Sequence, residues 1–103
     1  RGNEIIEKVR YNSDGSISSK YVYKYDARGN EIERVEYNSD GSIDSKYVYK
    51  YDKRGNKIEE VLYNSDGSIY EKSKYDKRGN VIETIYYSGK FNEPKSKTVY
   101  EYK

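Results

Sequence analysis

The chain repeats itself every 26 residues, and no other feature constrains its fold as tightly. YNSDGSI begins at Tyr11, Tyr37 and Tyr63. SKYVYKYD begins at Ser19 and Ser45 and shortens to SKYD at Ser73, while RGN occurs at Arg1, Arg28, Arg54 and Arg78. A unit repeated at fixed spacing covers its apolar side with its neighbours. The 103 residues therefore read as one domain, 1–103, with units at about 1–26, 27–52, 53–76 and 77–103, the last degenerate from Ser88. Opening inside a unit, at Arg1, the chain reads as a piece of a longer array or a trimmed one, with a consensus-like engineered array as a further alternative given the near-identity of two units.

Each unit carries two turn signals, Asn-Ser-Asp-Gly and Asp-x-Arg-Gly. Asn or Asp at the first place and Gly at the fourth suit a type I turn closed by a left-handed glycine. The turn-forming residues are thus Asp14, Gly15, Gly29, Asp40, Gly41, Gly55, Asp66, Gly67 and Gly79. Two three-residue loops divide each period into two arms of roughly ten residues, the length of a strand. The expected fold is all-β: an antiparallel β-meander of eight strands at about 3–11, 16–26, 30–38, 42–52, 56–64, 68–76, 80–88 and 96–102. An open, twisted single-layer sheet is preferred over a closed eight-stranded up-and-down barrel, whose narrow interior many tyrosine rings would crowd.

The turns also predict a register. With Ser39-Asp40-Gly41 as the loop, Tyr37 faces Ile43, Val35 faces Ser45 and Glu33 faces Tyr47. With Lys53-Arg54-Gly55 as the next loop, Tyr47 meets Val61 and Ser45 meets Tyr63. Both hairpins then place Val35, Tyr37, Ile43, Tyr47, Tyr49, Tyr51, Val61 and Tyr63 on one face. Ile32, Val48, Ile58 and Leu62 fall on the other, among Lys46, Lys50, Glu36 and Glu60. A slip of one residue would invert this assignment. The first unit has one residue more than the others, at Asn3-Glu4-Ile5-Ile6, which predicts a β-bulge near Ile5.

Composition narrows the function. There are 15 Tyr and 1 Phe but no Cys, His, Met or Trp. Without His and Cys the common zinc sites, thiol nucleophiles and Ser-His-Asp triads are out of reach. Twenty basic residues balance 18 acidic ones, for a net charge of +2. Nucleic-acid binding instead concentrates one sign of charge, and Glu36 and Glu60 interleave with Lys20, Lys24, Lys46 and Lys50. No apolar run reaches the length of a membrane span. Asn-Ser-Asp-Gly lacks the alternating ligands of a calcium loop. The reading is therefore no enzyme, no metal, no cofactor, no nucleic acid and no membrane insertion.

YVYKYDARGNEIERVEYNSDGSI (21–43) and YVYKYDKRGNKIEEVLYNSDGSI (47–69) resemble the YD-repeat, or Rhs-type, family. The residues that carry the likeness are Tyr25-Asp26 with Gly29, Tyr51-Asp52 with Gly55, and Tyr75-Asp76 with Gly79. The resemblance implies a long sheet of meandering strands, wound into a hollow shell in large toxin-complex and teneurin-like relatives. For small bacterial members it implies a cell-surface or secreted scaffold.

The candidate ligand or assembly face consists of Tyr21, Tyr23, Tyr25, Tyr37, Tyr47, Tyr49, Tyr51 and Tyr63. Left open, these rings would make an apolar patch larger than soluble monomers carry. The expected function is a structural, self-associating module, extracellular or at a bacterial surface, partnered by neighbouring repeats or further copies. A glycan- or protein-binding module using the same face is the alternative.

Overall fold

The computed structural model describes residues 4–88 and 93–102. Its eight strands are β1 (Glu4–Tyr11), β2 (Ile17–Tyr25), β3 (Glu31–Tyr37), β4 (Ile43–Tyr51), β5 (Lys57–Tyr63), β6 (Ile69–Tyr75), β7 (Val81–Tyr87) and β8 (Pro94–Val99). They form one antiparallel sheet in chain order, open between β1 and β8, so the barrel alternative does not apply. The eight strands fall where alternating Tyr, Val and Ile residues lie between turn signals, residue types that suit a pleated, half-buried surface. β8 begins two residues earlier than expected, and the expected first residue of β1, Asn3, lies outside the described residues.

The loops form as the turn chemistry requires. At the Asn38 turn, the Gly41 N–H donates to the Asn38 carbonyl at 3.0 Å and the Asn38 N–H to the Ser42 carbonyl at 2.8 Å. Asp40 Oδ1 accepts from the Ser42 amide at 2.9 Å and the Ser42 hydroxyl at 2.6 Å. Those bonds favour the ionised acid, the hydroxyl's first, and hold Asp40 below the ordinary carboxylate value of 3.8. The Asp52 turn repeats the pattern with Arg54 and Asn56 amides as donors. Gly41 sits at φ +91°, in the region that a side chain disfavours.

The register departs from the expected one at every hairpin. Tyr37 does face Ile43, but Glu36 then pairs with Ser45, Val35 with Lys46 and Arg34 with Tyr47. One residue of the outgoing strand, Asp44, is left over. The same residue is left over beside the other turns: Ser18, Ile32, Ile58, Tyr70, Ile82 and Lys95. Each is a β-bulge, two residues opposite one. The bulge expected near Ile5 is absent: pairing runs unbroken from Glu4↔Tyr25 to Arg10↔Ser19 and shifts only before Tyr11.

These bulges re-sort the faces, since directly paired residues share a side and alternate along each strand. One side carries Val22, Val35, Val48 and Val61, with Val22↔Val35 and Val48↔Val61 in direct register. Tyr37 and Tyr63 stand on this valine side, not with the other candidate tyrosines. The opposite, tyrosine side carries Tyr21, Tyr23, Tyr25, Tyr47, Tyr49 and Tyr51. Val48 thus joins Val35 and Val61 rather than opposing them.

A single layer buries little. The accessible surface is 7423 Å², against about 6,100 Å² for a compact chain of this mass. The radius of gyration is 16.0 Å, against about 13 Å. Among the described residues Val35, Val61 and Tyr49 are the buried apolar ones. Among the described residues each strand packs only against its neighbours in sequence, so stability is local and repeated.

Because nothing lies within 4 Å of a side-chain carbon built on Gly41, Gly41→Ala carries backbone strain without a clash. It is expected to lower unfolding free energy by about 1 kcal/mol, and Gly41→Asn by less, read as denaturant midpoints at unchanged slope.

Candidate functional site

The tyrosine side is a lattice of rings and cations, not an open ladder. Tyr21 stacks on Tyr23 and Tyr47 on Tyr49, each at 6.3 Å between centroids. Between them, from β3, the Arg34 guanidinium lies 5.6 Å from the Tyr23 ring, 5.5 Å from Tyr47 and 6.0 Å from Tyr49. From β5, Lys57 Nζ lies 5.4 Å from Tyr49 and 4.6 Å from Tyr75. Cations at these distances are drawn to the ring faces. Tyr49 is consequently 9% exposed, and burial is the main cause that raises its phenol pKa.

Each cation is tied to a carboxylate three residues away. Arg34 donates to both oxygens of Glu31, at 2.9 and 3.4 Å. That bond is the main cause that holds Arg34 more firmly protonated than usual. Lys57 donates to Glu60 Oε1 at 2.9 Å. Residues three apart in a regular strand face opposite sides; the bulges at Ile32 and Ile58 bring both pairs onto one side. Position 31 corresponds to 57 and 34 to 60 through the 26-residue period, so the two pairs carry reversed charges on the same seats.

Several phenol tips are bonded as well. Tyr51 donates to the Glu31 carbonyl at 2.6 Å and Tyr75 to Glu60 Oε1 at 3.1 Å. Tyr102 repeats the Tyr51 bond, donating to the Val81 carbonyl at 2.6 Å. Burial, then the charge of Glu60, raises the Tyr75 phenol to about 12.

The structure therefore gathers six of the eight candidate tyrosines and adds Arg34, Lys57 and Glu31, which sequence reading did not single out, with Glu60, which it placed on the opposite face, and Tyr75, which it named only within a Tyr-Asp-x-x-Gly string. The charge-reversed pairs were their signal. Tyr37 and Tyr63 instead lie under Lys20 and Lys46 on the valine side, at 5.1 Å in each case. Lys24–Glu33 at 3.5 Å and Lys50–Glu59 at 3.9 Å lie across the same side. Two shallow clefts flank the Tyr63–Ser65 segment. One of 290 Å³ is lined by Ser45, Leu62 and Tyr70 among others, and one of 160 Å³ by Ile43, Lys46 and Gly67 among others.

Residues 11–61 match a family described as "Protein of unknown function (DUF2963)". The match runs from the first Asn-Ser-Asp-Gly turn to the middle of β5, nearly two periods of the repeat. No curated protein matches the chain.

Two outcomes check this lattice. Glu31→Lys or Arg34→Glu alone places like charges together and is expected to cost about 1 kcal/mol. The double variant, which copies the Lys57–Glu60 arrangement, should return to within about 0.5 kcal/mol of the parent in a double-mutant cycle. In an alkaline absorbance titration, Tyr75→Phe should remove one phenol from the class that ionises near pH 12. Because that phenol's folded pKa is raised, the stability it contributes is complete below about pH 10 and is lost as pH climbs toward 12.

Proposed function

We propose that the chain is a non-enzymatic β-scaffold, a stretch of sheet whose role is to join other repeats or other copies of itself. One observation carries this reading. Among the described residues the five most exposed large apolar side chains, Ile5, Ile6, Tyr11, Val99 and Tyr102, lie on β1, on β8 or just after it, while those on inner strands, such as Ile43 and Tyr70, are 45% exposed or less. Ile5 and Ile6 on β1 are 62% and 46% exposed, and Val99 on β8 is 59% exposed. An outer strand also presents unpaired main-chain donors and acceptors, a template for a further strand.

The alternative, glycan or protein capture on the tyrosine side, is less favoured. A sugar would have to displace Arg34 and Lys57 from the rings they already cover. Placement at a bacterial surface, in the manner of a YD-repeat scaffold, rests on the Tyr-Asp-x-x-Gly strings alone.

Sedimentation velocity across a wide concentration range tests the scaffold. The expected result is a weight-average coefficient that climbs with concentration. A single monomer boundary throughout, together with saturable binding in a glycan or protein screen, would favour the alternative.

A further inference from the structure

We infer that the outer edge of β8 is built to receive the outer edge of β1 from a second copy, head to tail, in the register that β4 uses for β5. This rests on the scaffold reading above and specifies its interface.

The strands alternate between two kinds. Those that lead from an Asp-x-Arg-Gly turn into an Asn-Ser-Asp-Gly turn supply Glu33, Arg34 and Val35 in β3, and Glu59, Glu60 and Val61 in β5. Strand β1 supplies Glu7, Lys8 and Val9 on the same seats, since Glu7↔Val22 and Val9↔Lys20 repeat Glu33↔Val48 and Val35↔Lys46. The other kind is represented by Lys46-Tyr47-Val48-Tyr49-Lys50-Tyr51. Despite its divergent approach from Ser88, β8 and the residues after it take these seats as Lys97-Thr98-Val99-Tyr100-Glu101-Tyr102. Ile85↔Lys97 and Glu83↔Val99 repeat the same two pairings, the Tyr100 amide extends the ladder to the Ile82 carbonyl at 2.9 Å, and Tyr102 copies the bond of Tyr51.

Exposure marks what the outer strands lack. Tyr100 is 42% exposed where its counterpart Tyr49 is 9%, and Tyr11 is 62% exposed where Tyr37 and Tyr63 are half-buried. Among the described residues β8 pairs only with β7 and β1 only with β2. Laying β1 of a second copy along β8 in the β4–β5 register supplies the missing neighbours. Val99 meets Val9, as Val48 meets Val61, and Lys97 meets Tyr11, as Lys46 meets Tyr63. Tyr100 meets Lys8, as Tyr23 meets Arg34. Such an interface is heterologous, so it propagates into polar chains rather than closing as a dimer.

One pair opposes the contact and supplies the test. At every seam of this kind within the chain a lysine faces a glutamate: Lys24↔Glu33, Lys50↔Glu59 and Lys74↔Glu83. Between copies Glu101 would face Glu7. Glu101→Lys, or Glu7→Lys, should therefore tighten self-association about fivefold, while the double variant, with lysine facing lysine, should fall back to within about twofold of the parent. Sedimentation equilibrium on the four proteins reads these constants, with circular dichroism to confirm that each is folded. Tightening that simply multiplies in the double variant, or no change in either single one, overturns the assigned register. A Val99→Pro variant, which removes a main-chain donor from β8, provides a second arm. Folded Val99→Pro that associates as well as the parent overturns the edge contact and leaves the scaffold reading standing. Monomers at every concentration, for the parent and for Glu101→Lys, overturn both.

Discussion

The single extra residue beside each turn governs everything else in this sheet. A three-residue loop brings its flanking residues together in register, and the bulge that follows advances the outgoing strand by one. The direct effect is to reverse which side chains share a face from that point on. The valines thereby line up as Val22, Val35, Val48 and Val61 between lysine–glutamate pairs, and the stacked tyrosines collect on the reverse side. A bulge also bends and twists its strand locally, which a single layer needs if neighbouring side chains are to cover one another at all.

That coverage is the second constraint, because the described residues form a single layer with nothing packed on either face. In a two-layer domain a tyrosine ring would be buried by apolar groups from another element. Here the only material available is on the adjacent strand, and Arg34 and Lys57 supply it with long aliphatic stems and heads seated over the rings. Each head then requires a counter-charge nearby, which Glu31 and Glu60 provide. The reversal of sign between these pairs is intelligible on this account: either member can cover the rings as long as the pair remains neutral. In the last unit the same seats hold Val81 and Thr84, and the buried Thr84 hydroxyl lies 3.3 Å from the Ser73 hydroxyl instead.

The strands, the loops and the openness of the sheet were legible because each rests on local chemistry. Asn38, Asp40 and Gly41 make the same turn whatever lies beyond it. The face assignment was not legible from two agreeing hairpins, because both omitted the same bulge and their agreement repeated one error. A bulge leaves no mark in strand composition; Asp44 and Ile58 look like ordinary strand residues. It does leave a mark in charge pairing. Glu31 with Arg34 and Lys57 with Glu60 are three apart, a spacing at which residues of a regular strand cannot meet. Their compensated reversal across one period is the trace of the bulge in the sequence.

The same reasoning explains why the ends of the sheet differ from its middle. Every interior strand has a neighbour on both flanks, so its rings, cations and carboxylates largely meet in pairs, while Ile43, Ile58 and Tyr70 stay exposed. A terminal strand is built to the same pattern and keeps half of those pairs open. Tyr11 and Tyr100 are exposed through position, not through any change in their own character. Sheets that must remain separate blunt such edges with bulges, proline or inward-pointing charge. Strand β8 begins at Pro94 and carries the Lys95 bulge close by, yet from Lys97 onward it follows the interior pattern apart from Thr98 and Glu101. One carboxylate facing another is a weak barrier that salt screens. In the proposed head-to-tail contact, raising the ionic strength should therefore favour association, with no rearrangement of the fold.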